Sequence, residues 1–369
     1  MKFMIARDTL RKMMTTVNAA VPGKTSLPVL QNVLLVAKNS KLIATASDLE
    51  IAVTTEGDAT VTVEGSITLP ARLLSDLVSI LPSHDVFFDV DNLVATVVCD
   101  KFSNNIHGLP AEDYPQLPKF PTTEEISVDA VLFRGALMQT VPAVATDDSR
   151  PVLSGILMTI ADDKMELAAA DGFRLAHRSL ETLSPDASTT SVLIPGKTVN
   201  HLIKAINNTP NGSTVSIFVD ANTIRFSMMG AEIISRLIDG KFPDLKRVIP
   251  AVHNTSATVN VSELLRAVKI ASLLTDANRI SVYIANTGLH ITASGNTRGI
   301  SASEVLAEVT GDPMTIILNG QFLTDALTAC NCTTVRMETQ STNAPAVFRP
   351  VDPSGAQEYI HIVMPMSAK

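Results

Sequence analysis

Residues 27–36 read Leu-Pro-Val-Leu-Gln-Asn-Val-Leu-Leu-Val, and residues 150–159 read Arg-Pro-Val-Leu-Ser-Gly-Ile-Leu-Met-Thr. The shared Pro-Val-Leu and the apolar run after it set Pro28 and Pro151 123 positions apart. Outward from this pair the spacing returns. Ser47-Asp48-Leu49-Glu50 answers Ala170-Asp171-Gly172-Phe173 at an offset of 123, and Leu69-Pro70-Ala71-Arg72 answers Ile194-Pro195-Gly196-Lys197 at 125. A weaker third copy follows. Ile291–Gly295 parallels Leu167–Gly172, with Gly172 and Gly295 123 apart, and Leu318–Gln321 parallels Ile194–Lys197, with Gly196 and Gly320 124 apart. A period of this size exceeds the roughly 20–50 residues of a solenoid repeat. The 369 residues therefore read as three copies of one domain.

Each copy opens with a short strand and a helix: Phe3–Ala6 then Asp8–Ala20, Glu125–Val128 then Asp129–Ala145, Ala257–Val261 then Ser262–Leu274. Asp8, Asp129 and Ser262 suit a helix cap or first turn. Strands rich in Val, Ile, Leu and Thr follow, such as Val29–Ala37, Lys41–Ala46 and Glu50–Thr55, with a polar turn at Asn39-Ser40. A second helix comes next in each copy: Ala71–Ile80, Lys197–Ile206 and Gln321–Ala329. The predicted fold class is α+β. It comprises domains at 1–120, 124–248 and 252–369, each with two helices packed on antiparallel sheets of about eight strands. Turn residues cluster in linkers at Pro115–Thr123 and Pro243–Asn254.

Composition excludes several classes. At 46% hydrophobic and 18% charged, the chain is too apolar to be disordered. It has no run of about 18 apolar residues, so no membrane span is expected. The opening MKFMIARDTLRKMM lacks the apolar core of an export signal, which points to the cytoplasm. Cys99, Cys330 and Cys332 offer only a lone C-x-C, and the seven histidines lack metal-ligand spacing, so neither metal nor cofactor is expected. Gly23-Lys24-Thr25 and Gly196-Lys197-Thr198 look like the end of a phosphate-binding loop, but Asn18 and Ser191 stand where the loop needs its first glycine. There is no G-x-S-x-G nucleophile motif. These features favour a binding protein without catalysis over a hydrolase whose site is assembled across domains.

A net charge of −8 argues at first against a partner with a phosphate backbone. The distribution tells more than the sum. The six predicted helices together carry +3, which leaves −11 for the rest of the chain. Arg11, Lys12, Arg72, Arg134, Lys197, Lys204, Arg266 and Lys269 supply the helical cations, and Lys24 lies just past the first helix. An acidic protein can thus carry one mildly positive helical face. The opposite faces are apolar, with Leu10, Met13, Met14 and Val17 in the first helix and Leu132, Leu137 and Val141 in the third.

The chain resembles the bacterial DNA polymerase III beta subunit family, the sliding clamps, from Met1 to Met366. The opening Met-Lys-Phe, Leu27–Leu30, Asp48–Glu50, Asp171–Leu175, Asp239–Asp244 with Arg247–Pro250, and Val363–Met366 carry the resemblance. It implies a head-to-tail homodimer: a six-domain ring with sheets outside and twelve helices lining the hole. Helices about 9 Å apart would give a diameter of roughly 34 Å at the helix axes, enough for duplex DNA. Such a ring is held by topology and needs only weak, sequence-independent phosphate contacts, which disposes of the charge objection. Lys24 matches a basic DNA-contacting position, and Lys12 and Lys197 match basic residues on bore-facing helices, so all three are implied to bind DNA. Leu273 and Leu274 match apolar dimer-interface positions.

The resemblance also implies a pocket for short linear peptides of the replicative polymerase, the clamp loader and repair polymerases. Arg150, Leu153, Ala170, Gly172, Arg174 and Leu175 match its positions in the middle domain. Pro243, Arg247, Val248, Asn319 and Phe322 continue it, and the terminal Val363, Met364, Pro365 and Met366 complete it. Leu153, Leu175, Val248, Val363 and Met364 would form an apolar socket in which methionines adapt to several ligands, with Arg150 or Arg247 holding the peptide by polar contacts. The alternative implied is a peptide-binding hub that no longer encircles DNA. Three departures stand out. Ala277 or Asn278 replaces a rim aromatic, the chain ends Met366-Ser-Ala-Lys369, and Gly299–Ser303 lacks the acidic run some relatives carry.

Overall fold

The structure is a computed structural model. It describes every residue except 117–119, 121–123, 148, 185–186, 246–247, 352–357 and 368–369. The first copy runs β1 (Lys2–Ala6), α1 (Arg7–Val17), β2 (Asn32–Lys38), β3 (Lys41–Ser47), β4 (Ile51–Asp58), β5 (Thr60–Val63), β6 (Gly65–Pro70), α2 (Ala71–Ile80), β7 (Asp85–Asp91), β8 (Val94–Cys99) and β9 (Phe102–His107). The second runs β10 (Ile126–Asp129), α3 (Ala130–Thr140), β11 (Gly155–Asp162), β12 (Lys164–Ala170), β13 (Arg174–Glu181), β14 (Ala187–Pro195), α4 (Gly196–Ile206), β15 (Thr214–Val219), β16 (Thr223–Met228) and β17 (Ala231–Arg236). The third runs β18 (Thr255–Asn260), α5 (Val261–Leu273), β19 (Arg279–Ala285), β20 (Gly288–Gly295), β21 (Gly299–Thr310), β22 (Met314–Asn319), α6 (Gly320–Cys330), β23 (Thr334–Thr339), β24 (Ala346–Pro350) and β25 (Tyr359–Val363).

Two compact units emerge, and the middle copy is shared between them. One unit holds Met1–Arg134, Thr182–Ala187 and Lys197–Leu237; the other holds Gly135–Glu181, Ser188–Gly196 and Ile238–Lys369. In the first unit a five-stranded sheet is ordered β5-β1-β7-β8-β9, and an eight-stranded sheet β10-β15-β16-β17-β4-β3-β2-β6. In the second unit twelve strands run β14-β11-β12-β13-β25-β24-β23-β18-β21-β20-β19-β22. Each copy therefore donates strands to a sheet it shares with its neighbour. β4 pairs with β17 antiparallel (Ile51 with Ser235, Ala52 with Ile234), and β13 pairs with β25 (Arg174 with Val363, Leu175 with Ile362). These two seams are repeats of one another.

Local chemistry explains the boundaries. Asn39 and Ser40 both adopt positive φ, the conformation that lets a two-residue turn follow the twist of β2 and β3. Asp129 caps α3 by accepting from the amides of Val131 and Leu132 at 2.9 Å each. α5 is capped by Asn260, whose side chain takes the Ser262 and Glu263 amides. The helix predicted over Asp129–Ala145 stops at Thr140. Pro142 lacks an amide hydrogen and its ring blocks the turn before it, so Val141–Ala143 continues as a 3₁₀ turn. The predicted first helix likewise ends at Val17, with Asn18–Ala20 in a 3₁₀ turn.

The core follows the predicted faces in α1, where Leu10, Met13, Met14 and Val17 are buried. It differs in α3: Phe133, Ala136 and Leu137 are buried, whereas Leu132 is exposed beside Val131. α1 packs on α2 in the first unit, and α5 on α6 in the second. Among the described residues no helix is long and apolar enough to cross a membrane.

Candidate functional site

The turn between β12 and β13 is the centre of the candidate site. Asp171 accepts from the amides of Phe173 (2.8 Å) and Arg174 (2.9 Å) through one carboxylate oxygen. Gly172 sits at φ +92°, a backbone conformation that favours glycine. Arg150 lies close over this glycine. A Cβ there would meet both terminal guanidinium nitrogens of Arg150 at 3.0 Å, and one of them donates to the Asp171 carbonyl oxygen at 2.9 Å. The other Asp171 oxygen pairs with Arg174 Nε at 2.9 Å. Arg174 then reaches α6, where Nη1 pairs with Asp325 and the guanidinium lies 4.4 Å from the Phe322 ring centre.

The floor is apolar and continuous. Leu153 is buried with Ala145, Leu193 and Phe242. Leu175 is buried with Val347 and Ile362. Ala170 and Leu245 pack against both groups and join them into one surface. β25 delivers the chain's last described segment to the same place. Val363 is buried, Met364 is exposed, and Pro365 and Met366 are half-buried. The Met364 amide donates to the Phe173 carbonyl and the Met366 amide to the Ile317 carbonyl, each at 2.8 Å. α6 begins beside them, with Asn319 accepting from the Gln321 (2.9 Å) and Phe322 (3.2 Å) amides.

Arg150, Leu153, Ala170, Gly172, Arg174, Leu175, Asn319, Phe322 and Val363–Met366 thus all belong to elements of one unit linked by contacts. Pro243 and Val248 are exposed on the segment that carries Leu245, and Arg247 lies outside the described residues. Three neighbours escaped the sequence reading. Asp325 and its partner Gln321 (Gln321 Nε2 to Asp325 Oδ1, 2.8 Å) have no motif of their own, and Phe173 is 61% exposed at the turn. At the departure noted beside β19, Asn278 has φ +53° and its carbonyl accepts from the Gly320 amide at 2.7 Å. Ala277 and Asn278 are both exposed there.

The predicted cations sit differently from one another. Lys12 on α1 and Lys24 in the following loop are exposed. Lys197, in the first turn of α4, pairs with Asp48 although its side chain stays 54% exposed. Burial alone would raise the Asp48 carboxyl, but Lys197 and the amides of Ile51 and Glu50 outweigh it and hold it below the ordinary carboxylate value. His201, four residues along the same helix, is buried, and among the described residues neither ring nitrogen has a hydrogen-bond partner. Its burial, aided by Lys197 and Lys204, holds it down to about 4, hence neutral. On α5, Leu273 is 71% exposed, and Leu274 just beyond is half-buried. Leu273 shares a groove of about 700 Å³ with Ile270, Arg266 and Lys269. Among the described residues, no group of three or more His, Cys, Asp or Glu is placed to hold a metal ion.

Residues 1–118, 127–244 and 246–367 match, in that order, the N-terminal, central and C-terminal domains of the DNA polymerase III beta subunit. The chain is 30% identical over 363 residues to a beta sliding clamp of Bacillus subtilis strain 168, covering 95% of this chain and 96% of that one. The crystal structure of a DNA polymerase sliding clamp from Bacillus subtilis superposes with a TM-score of 0.91 at 27% identity over 100% of both chains. A sliding clamp from Pseudomonas aeruginosa, solved bound to griselimycin, superposes with a TM-score of 0.92 at 28% identity over 100% of this chain and 99% of that one. With all three domains matched in order along nearly its whole length, the chain belongs to the DNA polymerase III beta subunit family, the beta sliding clamps.

Proposed function

We propose that the chain is a non-catalytic processivity subunit: two copies close head to tail into a ring around duplex DNA and tether a polymerase to it. The observation that carries this reading is the ordered match of three successive clamp domains over residues 1–367. Its three domains, in this reading, run over residues 1–120, 124–248 and 252–369. The proteins it would serve are the replicative polymerase, the clamp loader and repair polymerases, each docking a short peptide on the Leu153–Leu175 floor. Griselimycin would occupy the same pocket. The protein works in the cytoplasm.

Two surfaces support the dimer. In the second unit, β21 pairs with β18 only from Ala307 to Thr310, so its residues 299–306 have a strand on one side alone among the described residues. Ile300 on that stretch and Leu273 on α5 are exposed. In the first unit, β9 is a sheet edge with Phe102 exposed, and Ile80 is exposed at the end of α2. Unpaired edges and exposed apolar residues are covered when one surface of a copy meets the other surface of the next, and two such contacts close a ring. Lys12, Lys24 and Lys197 then supply phosphate contacts without sequence preference.

Light scattering should give a dimer mass, and the protein should stay on nicked circular DNA and be lost when that DNA is linearised. A monomer at micromolar concentration that never joins circular DNA would sink the reading. Griselimycin binding without retention on circles would leave only the peptide-binding hub.

A further inference from the structure

Arg174 has more partners than a pocket cation needs if its task is to meet a ligand. Its side chain is only 9% exposed, and two carboxylates already neutralise it, Asp171 on Nε and Asp325 on Nη1. Its flat face is covered by Phe322 at 4.4 Å. Asp171 is local, three residues back in the same turn, so that pair ties nothing distant together. Asp325 is 151 residues away, on α6. It stands three positions after Phe322 and four after Gln321, hence on one helical face with both. Gln321 Nε2 donates to Asp325 Oδ1 at 2.8 Å, which leaves the other carboxylate oxygen facing Arg174.

The consequence is mechanical. A guanidinium held at two edges in a planar fork cannot swing, and a ring stacked on it is held too. Phe322 belongs to α6, whereas the turn at Asp171–Arg174 belongs to β12 and β13. The Met364 amide also bonds that turn, through the Phe173 carbonyl. Remove the Asp325 charge and Arg174 keeps its Asp171 contact and the Phe322 stack, but among the described residues its outer nitrogen loses its ion pair to α6. The wall between Phe322 and Met364 would have to be ordered by the ligand at the ligand's expense.

We propose that Asp325 is a positioning residue of the partner-binding pocket: by holding Arg174 against Phe322 it sets the pocket wall before a ligand arrives. This rests on the peptide-pocket reading above. It assigns no ligand contact to Asp325 itself. Gln321 orients the carboxylate, and Arg174 transmits its position to the ring.

The test titrates griselimycin into the full-length dimer by calorimetry. Asp325→Asn keeps the size and loses the charge, and should bind about tenfold more weakly, the equivalent of about 1.4 kcal/mol. Asp325→Glu keeps the charge and should stay within about threefold of the wild type, rescue that a mere packing role would not give. Arg174→Lys combined with Asp325→Asn should bind no more weakly than Arg174→Lys alone, because both changes break one linkage. Asp325→Asn binding as tightly as the wild type, or losses that add in the double variant, would overturn the proposal. If Asp325→Asn does not fold, the Glu variant decides: a loss of tenfold or more in a folded Asp325→Glu dimer overturns the positioning role. A wild type that does not bind griselimycin overturns the pocket reading and this inference with it. Binding by the wild type with no effect at Asp325 overturns the inference alone.

Discussion

The two inter-copy seams, β4 with β17 and β13 with β25, are built on one backbone plan and finished with different side chains. Each begins at an aspartate that closes its own turn. Asp48 accepts from the Glu50 (3.0 Å) and Ile51 (2.8 Å) amides, as Asp171 accepts from Phe173 and Arg174. The residue after each aspartate has positive φ, Leu49 at 76° and Gly172 at 92°. For leucine that conformation costs about 1–2 kcal/mol, and for glycine almost nothing. Each seam closes with the same bond, Arg236 N–H to Glu50 at 2.9 Å and Met364 N–H to Phe173 at 2.8 Å. They part at the second carboxylate oxygen. Asp48 takes Lys197, a half-exposed point charge, whereas Asp171 takes Arg174, which carries the linkage on to Asp325 and Phe322. A shared fold thus yields a plain seam in one place and a walled apolar site in the other. The difference rests on a few side chains.

The largest expected effect on binding would erase that distinction. Deleting residues 364–369 removes the Met364 and Met366 amide bonds and the methionines of the wall, while Val363 keeps β25 intact. Griselimycin binding should fall by more than about a hundredfold, as expected when several contacts of about 1 kcal/mol or more vanish together. Light scattering should still report the dimer. Unchanged affinity in the truncated protein would remove these residues from the site.

Next comes the arginine against the lysine. Arg174→Ala leaves Asp171 and Asp325 without their shared cation in a mostly buried place, and should cost roughly 3–5 kcal/mol in urea unfolding. Equal losses for Arg174→Ala and Lys197→Ala would mean that the two seams are energetically alike.

The buried histidines extend the contrast. Burial, then Lys197 and Lys204, lowers His201 to about 4; burial, then Arg174, lowers His361 to about 3. An unfolded histidine titrates near 6.5, so below that pH the unfolded state binds the proton first. Stability is therefore lost as pH falls from 6.5 toward 4 in the first unit, and toward 3 in the second. His361 has a partner, since its Nδ1 lies 2.8 Å from the Tyr359 hydroxyl, which also bonds Gln139 at 3.0 Å. His201 has none. His201→Leu should thus flatten the acid loss in the first unit by about 2–3 kcal/mol, while His361→Leu should cost stability even at pH 7. Hydrogen exchange resolved by segment at pH 7 and 4.5 separates the two.

What the sequence made legible was whatever repeats at short range. The 123-residue spacing survives because Asp48 and Asp171 each close a turn, and a turn reads within four residues. The apolar floor is legible only through the family resemblance, because apolarity alone marks Leu153 and Leu175 as core, and both are buried. The clasp was not. Asp325 is an ordinary acidic residue in a helix until Arg174 arrives from 151 positions away. Apolarity alone places Leu132 on a buried face, yet α3 turns it outward. A charge sum carries no distances, so it cannot show that Lys197 is paired with Asp48.

That last point yields the smallest effect and the finest test. In the Lys197–Asp48 pair the lysine side chain is 54% exposed, and the buried carboxylate keeps the Glu50 and Ile51 amides without it, so Lys197→Ala should cost about 1 kcal/mol, less than Arg174→Ala. The sign with pH is set by Asp48, whose carboxyl lies below the ordinary 3.8. What the pair contributes is present above that value and lost as pH falls through the lower folded one. Lys197→Ala should therefore matter at pH 7 and matter less as pH falls below 3.8. The same pairing predicts its behaviour toward DNA. Each lysine that neutralises a phosphate steepens the salt dependence of binding by about 0.9 in log–log slope. Lys12 and Lys24 are exposed, and replacing either with Ala should remove about that much per copy. Lys197 must first leave Asp48, so Lys197→Ala should change the slope less. Asp48→Asn, which frees the lysine, should tighten DNA binding at low salt. A slope change for Lys197→Ala as large as for Lys24→Ala would mean that DNA wins the lysine outright, and that the first seam opens its clasp whenever the ring is loaded.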